Sequence, residues 1–159
     1  TQNMPVVVQS PLPVGANTIG AVNQGTPAIA GNAWPTAGQP YPVGATPLST
    51  SSGVVGNATA TATLAGTAGK TTYIAGFQIT ADGATSASCQ GFSLTGLAGT
   101  APAYVFCWPV GATVIAQPLI INFIPPIPAS AANTAITVPV PAAGAGNTGT
   151  AVTAWGFQQ

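Results

Sequence analysis

The stretch Ser86-Ala-Ser-Cys-Gln-Gly-Phe-Ser-Leu-Thr-Gly-Leu-Ala-Gly-Thr-Ala-Pro-Ala-Tyr-Val-Phe-Cys-Trp-Pro-Val110 alternates large and small side chains on either side of a glycine-containing turn. Phe92 and Leu94 share one face of the first run with Gln90, and Tyr104, Phe106 and Trp108 share one face of the second. A period of two belongs to strands, whose successive side chains point to opposite faces. A hairpin turning about Ala98 sets Phe92 opposite Tyr104 and Gly91 opposite Val105, which gathers the bulky residues on one side. The same register sets Cys89 opposite Cys107, the chain's two cysteines. If the pair is a close one, a disulfide is geometrically allowed and contributes roughly 3 kcal/mol through loop closure. The other reading is a pair of buried reduced thiols.

The alternation recurs on both sides of this hairpin. Asn57 to Ala65 sets Ala58, Ala60, Ala62 and Leu64 against Thr59, Thr61 and Thr63. Thr71 to Thr80 sets Tyr73, Ala75, Phe77 and Ile79 against smaller or polar residues, and Asp82-Gly83 marks a turn. Further on, Pro118 to Phe123 offers Leu119, Ile121 and Phe123, Thr134 to Val140 offers Ile136, Val138 and Val140, and Thr150 to Phe157 carries Trp155 and Phe157. No stretch shows the 3.6 period of a helix. The fold class is therefore all-β. About seven strands over residues 54–159 predict an antiparallel β-sandwich, large enough to fold alone. Proline and glycine are abundant enough to raise the alternative of a disordered chain, but the aromatics inside alternating segments argue for a packed core.

Residues 1–53 read differently. Prolines at 5, 11, 13, 27, 35, 40, 42 and 47 come too often for a helix or a central strand. What remains is an extended N-terminal arm, which at about 3.1 to 3.3 Å per residue reaches beyond roughly 100 Å. Short apolar pieces such as Val6 to Val8 and Thr18 to Val22 are suited to adding a strand to a neighbour's edge. Trp34 and Tyr41 are candidate anchors that dock into a partner's pocket. The plainer alternative is a mobile linker. The tetrapeptide Pro-Val-Gly-Ala recurs at 13–16, 42–45 and 109–112 without a common period, which points to reused turn chemistry rather than a solenoid.

Charge is nearly absent: one basic residue, Lys70, one acidic residue, Asp82, and no histidine. General acid–base catalysis needs a group titrating near working pH, and a nucleophilic Ser or Thr needs a neighbouring base. The expectation is that the chain is not an enzyme. Two cysteines without histidine cannot supply the usual four zinc ligands, so no metal and no cofactor is expected. Nucleic acid and anionic membranes both demand clustered Lys or Arg, so neither is an expected partner. The longest strongly apolar stretch, Pro118 to Pro128, is too short and too broken by proline to span a bilayer as a helix, and no basic stretch marks a leader. Zero net charge removes the repulsion that keeps copies apart, and sheet edges without charged guards favour self-association. The Thr59, Thr61, Thr63 row does not extend to other strands as an ice-binding surface requires, and the Asn57-Ala58-Thr59 acceptor pattern is assigned no role.

The run Pro128-Ala-Ser-Ala-Ala-Asn133-Thr-Ala-Ile136-Thr-Val, then Gly144-Ala-Gly-Asn147-Thr, closing on Trp155-Gly-Phe157-Gln, resembles small Ala/Gly-rich structural proteins of tailed bacteriophages and prophages. The segments around Lys70 to Phe77 and Ala103 to Thr113 look like the same family's strand pattern, so the resemblance runs from about Asn57 to Gln159. It implies a virion component at the particle surface, such as a capsid decoration (cement) or head-fibre protein. The arm would then anchor it to the major capsid protein or another virion protein, and a homotrimer would suit such a site. That family carries mainly aliphatic residues where Cys89 and Cys107 stand, so the resemblance does not imply a bridge. The second expectation is a receptor- or glycan-binding tip of a tail fibre or secreted adhesin. Its only candidate aromatics are Trp108, Trp155 and Tyr104, all more simply read as core.

Overall fold

Alternation at period two becomes eight antiparallel strands in the computed structural model, which describes residues 41–159. They are β1 (Thr46–Ser51), β2 (Ala60–Leu64), β3 (Thr72–Ala81), β4 (Ser88–Ser93), β5 (Ala103–Trp108), β6 (Leu119–Pro128), β7 (Ile136–Val140) and β8 (Thr150–Gln158). All seven expected strands are present. The addition is β1, which lies on the N-terminal side of the boundary expected at residue 53 and runs against β8 from Thr46 opposite Gln158 to Ser51 opposite Thr153. Pro47 argues against a central strand, but β1 is an edge, where a missing N–H costs no ladder bond if it faces outward. Leu48 makes the reason for docking plain, since it packs against the core.

The β4–β5 hairpin has the expected register, with Phe92 facing Tyr104 and Cys89 facing Cys107. It is the innermost turn of a longer ribbon. β3 pairs with β6 (Ile79 opposite Leu119), β2 with β7 (Leu64 opposite Ile136) and β1 with β8 (Ser51 opposite Thr153). The midpoint of every pair falls between Ala98 and Pro102. The chain therefore doubles back once, and the doubled ribbon rolls up. Rolling brings β8 against β3, which completes a four-stranded sheet of order β1-β8-β3-β6. On the other side, the ribbons β2-β7 and β4-β5 are joined where Thr95, just past β4, exchanges backbone hydrogen bonds with Thr137 of β7 at 3.0 and 3.1 Å. Two layers ordered 1-8-3-6 and 2-7-4-5 make the jelly-roll arrangement of a β-sandwich.

The core lies between the layers. Phe77 and Ile79 of β3, Leu64 of β2, Val138 of β7, Val152 of β8 and Trp108 of β5 are almost completely buried. Each such apolar side chain contributes roughly 1.5–3 kcal/mol by leaving water. Phe77 meets Phe92 and Tyr104 edge-on, with centroids 6.0 and 5.2 Å apart.

One face assignment differs from the sequence reading. Phe77 and Ile79 point inward, but Tyr73 and Ala75 do not, because β3 carries a bulge between Ile74 and Gly76 that slips its alternation by one residue. Ile74 and Thr72 take the inward positions instead, and both are fully buried. Thr72 is satisfied by Ala65 and Gln158: its hydroxyl donates to the Ala65 carbonyl at 3.3 Å and accepts from Gln158 Nε2 at 3.2 Å. β6 also outruns its expected end at Phe123, continuing through Pro125 and Pro126 to Pro128, which an edge strand tolerates.

Candidate interaction surfaces

Cys89 and Cys107 are joined in a disulfide across β4 and β5, with Cα atoms 4.0 Å apart. Both cysteines are exposed, so the buried-thiol reading is wrong on both counts. The pleat explains it: Phe92, Phe106 and Trp108 take the inward positions, which leaves Cys89, Gly91, Val105 and Cys107 on the outer face. The bridge pins β5, an edge strand whose only strand partner among the described residues is β4.

The second exposed edge is β6. It pairs with β3 on one side and with no strand among the described residues on the other. Natural edges are guarded by charge, proline or bulges. Pro125, Pro126 and Pro128 guard the second half of β6, whereas Leu119 to Ile124 has no such protection. Ile120 is 56% and Ile124 93% exposed, and the core-side residues Leu119, Ile121 and Phe123 are only partly covered. The free edges of β5 and β6 lie on the same side of the sandwich, where Val105 and Cys107 line one shallow groove with Gln117, Pro118 and Leu119. No charged residue lines this groove.

Asp82, the single carboxylate, serves as a clasp rather than a reactive group. Asn147 Nδ2 donates to its Oδ1 at 2.7 Å and to its carbonyl oxygen at 2.9 Å, and the backbone N–H groups of Thr148 and Gly149 donate to Oδ1 at 3.1 and 3.0 Å. The Thr148 hydroxyl donates to Oδ2. Burial works to raise the Asp82 pKa, but these hydrogen bonds outweigh it and hold the carboxyl below its ordinary value of 3.8. The clasp continues inward, for Thr150 Oγ1 donates to Asn147 Oδ1 and accepts from the Trp108 indole N–H, each at 3.2 Å. A polar chain thus ties the β7–β8 connection to the end of β3 and into the core. Lys70, at the other end of β3, donates to Thr46 Oγ1 at 3.1 Å and helps hold β1.

Of the two expected anchors, Trp34 lies outside the described residues, as do Val6 to Val8 and Thr18 to Val22. Tyr41 packs on its own chain, its ring 5.4 Å from that of Phe157, which in turn stacks on Tyr73 at 4.7 Å and 9°. The Thr row is exposed as expected; on the next strand Pro139 faces Thr61, whereas Thr137 faces Thr63 and bridges in turn to Thr95, which corrects the expectation that the row ends on its own strand. In the first described copy of the repeated tetrapeptide, Ala45 N–H bonds the Pro42 carbonyl across Gly44 at φ 82°, and in the second Gly111 has φ 107°. Both copies therefore use glycine's access to positive φ. Among the described residues, no group of three His, Cys, Asp or Glu side chains is placed to hold a metal.

Comparison with protein-family models, curated proteins and solved structures returns no match for this chain.

The three expected glycan-contacting aromatics separate. Trp108 is buried and Tyr104 packs on Phe77 and Phe92, both in the core. Trp155, read from the sequence as core, stands on the outer face of the four-stranded sheet. No composition or spacing signal marks it, because the face it takes depends on the pleat of β8 relative to β3.

Proposed function

We propose that this protein is a non-enzymatic structural component of a bacteriophage virion, of the capsid-decoration or head-fibre kind. Its jelly-roll body is displayed at the particle surface as a homotrimer, and the chain before residue 41 provides the anchor to a capsid or other virion protein. The observation that carries this reading is the unguarded, uncharged edge of β6 with Ile120 and Ile124 turned to solvent. A body that leaves such an edge open is one to be finished by neighbours. Two further features support it. Jelly rolls are common in viral capsids, and an exposed disulfide is at home on a virion surface rather than in reducing cytosol.

The test has two parts. The full chain should run as a trimer by light scattering, and Ile120→Lys with Ile124→Lys should release monomers of unchanged melting temperature. Mass spectrometry of purified virions from the phage that encodes it should find the protein in tens to hundreds of copies per particle. Its absence from washed particles refutes the virion role, and a monomeric full chain refutes the edge.

A further inference from the structure

Trp155 lies in a row that crosses all four strands of the larger sheet: Ser49 of β1, Trp155 of β8, Gly76 of β3 and Asn122 of β6 are successive partners. The neighbouring row is Ser51, Thr153, Gln78 and Ile120. Both rows face outward, since the row between them holds Ala154 and Phe77, which are fully buried. A ring that stood upright here would be held off the sheet by its neighbour's Cβ. Gly76 has none: a Cβ built there would fall 2.6 Å from Cζ2 and 2.8 Å from Cε2 of the indole. The indole therefore reaches over β3 into the space the glycine leaves, and Trp155 stays partly exposed on the outer face of the sheet. Its N–H meets no acceptor among the described side-chain hydrogen bonds, and no buried side-chain polar atom lacks a partner, so this donor reaches solvent.

The surroundings define what such a platform takes. Asn122, Ser49 and Ser51 are exposed, Gln78 and Thr153 half-exposed, and all five carry neutral groups that donate and accept hydrogen bonds. With strands about 4.8 Å apart and like-facing residues about 6.8 Å apart along a strand, the five stand within about 10 Å of the indole, the span of one or two sugar rings. A sugar offers an apolar C–H face for the ring and hydroxyls for the amides. A charged ligand finds no countercharge, because neither Lys70 nor Asp82 belongs to these rows.

We propose that the outer face centred on Trp155, with Gln78, Asn122, Ser49 and Thr153 around it, is a binding site for a neutral glycan. The site stands whether or not the protein belongs to a virion. It restores the glycan reading at a different place in the fold from the one Trp108 and Tyr104 suggested, and it borders the β6 edge at Asn122, which lies between Ile120 and Ile124 on the outward face of that strand.

Affinity electrophoresis of the full chain tests it, in native gels containing dextran, hydroxyethyl cellulose, galactomannan or, as the charged counterpart, alginate. At least one neutral polymer should retard the protein and alginate should not. Trp155→Ala should weaken that retardation at least tenfold. Gln78→Ala and Asn122→Ala, which remove no core contact and should melt like the parent, should each weaken it threefold or more. No retardation by any of the neutral polymers overturns the proposal. So does equal retardation by alginate, or retardation that Gln78→Ala and Asn122→Ala leave unchanged.

Discussion

Replacing both cysteines with serine tests the energetics of this fold at a point where one term can be isolated. Cys89 and Cys107 are exposed on the outer face of the β4–β5 ribbon, so removing their sulfurs opens no cavity and strips no core contact. What is lost is the cross-link. With the cysteines 18 positions apart in the sequence, the chain-entropy relation puts the loss at about 3 kcal/mol, from the wider ensemble open to the unfolded chain. For a body of this size, about 4 °C of melting temperature per kcal/mol converts that into a fall of roughly 10–15 °C. Calorimetry of the double variant, and of the parent with and without reductant, measures it, with alkylation and mass spectrometry confirming the thiol state. Hydrogen exchange adds a local readout: among the described residues β5 has β4 as its only strand partner, so its amides should lose protection before those of β3, which is flanked on both sides. A double variant melting within about 2 °C of the oxidised parent refutes the loop-closure reasoning.

Gly76→Ala should destabilise by about 1–3 kcal/mol in urea titrations, because the new methyl would sit 2.5 Å from the Ile121 carbonyl oxygen and 2.6 Å from the Trp155 ring. No histidine-linked change in stability is expected around neutral pH, because the chain has no histidine, and a melting profile across that range checks it. The folded pKa of Asp82 is depressed, so its contribution is complete above the unfolded value of 3.8 and disappears as pH falls through the lower folded value. Asp82→Asn should remove that acid limb of the melting profile. A chain beginning at residue 41 should melt like the full chain, whereas one beginning at residue 54 lacks β1, leaves β8 unpaired on one side and should melt lower. Equal melting of the two truncations would mean that β1 adds nothing to the body.

The residues that were legible in the sequence are those whose role depends on local pattern. Phe92 against Tyr104, and Cys89 against Cys107, follow from alternation around one turn, and Leu64, Ile136 and Val138 follow from period two alone. Three features escaped. β1 has little alternation of its own and takes strand form because β8 offers it a partner. The bulge at Gly76 reverses Tyr73 and Ala75, and a single glycine does not announce which neighbour needs its space. Asp82 seemed idle beside its turn, because Asn147 and Thr148, its partners, are more than sixty residues away in the chain.

The sequence by itself determined that the protein is built from strands, that they run antiparallel, and that only one basic and one acidic side chain are available to help hold them. Those properties are local or compositional: side-chain period, turn chemistry and the count of ionisable groups. Only the tertiary structure decided that the ribbon rolls into two layers, that the disulfide faces water, and that Trp155 lies outward across Gly76 rather than in the core. Each of these depends on which surface meets which after the ribbon closes. That choice is made by packing between residues far apart in the chain, and a period of two reads the same from either face.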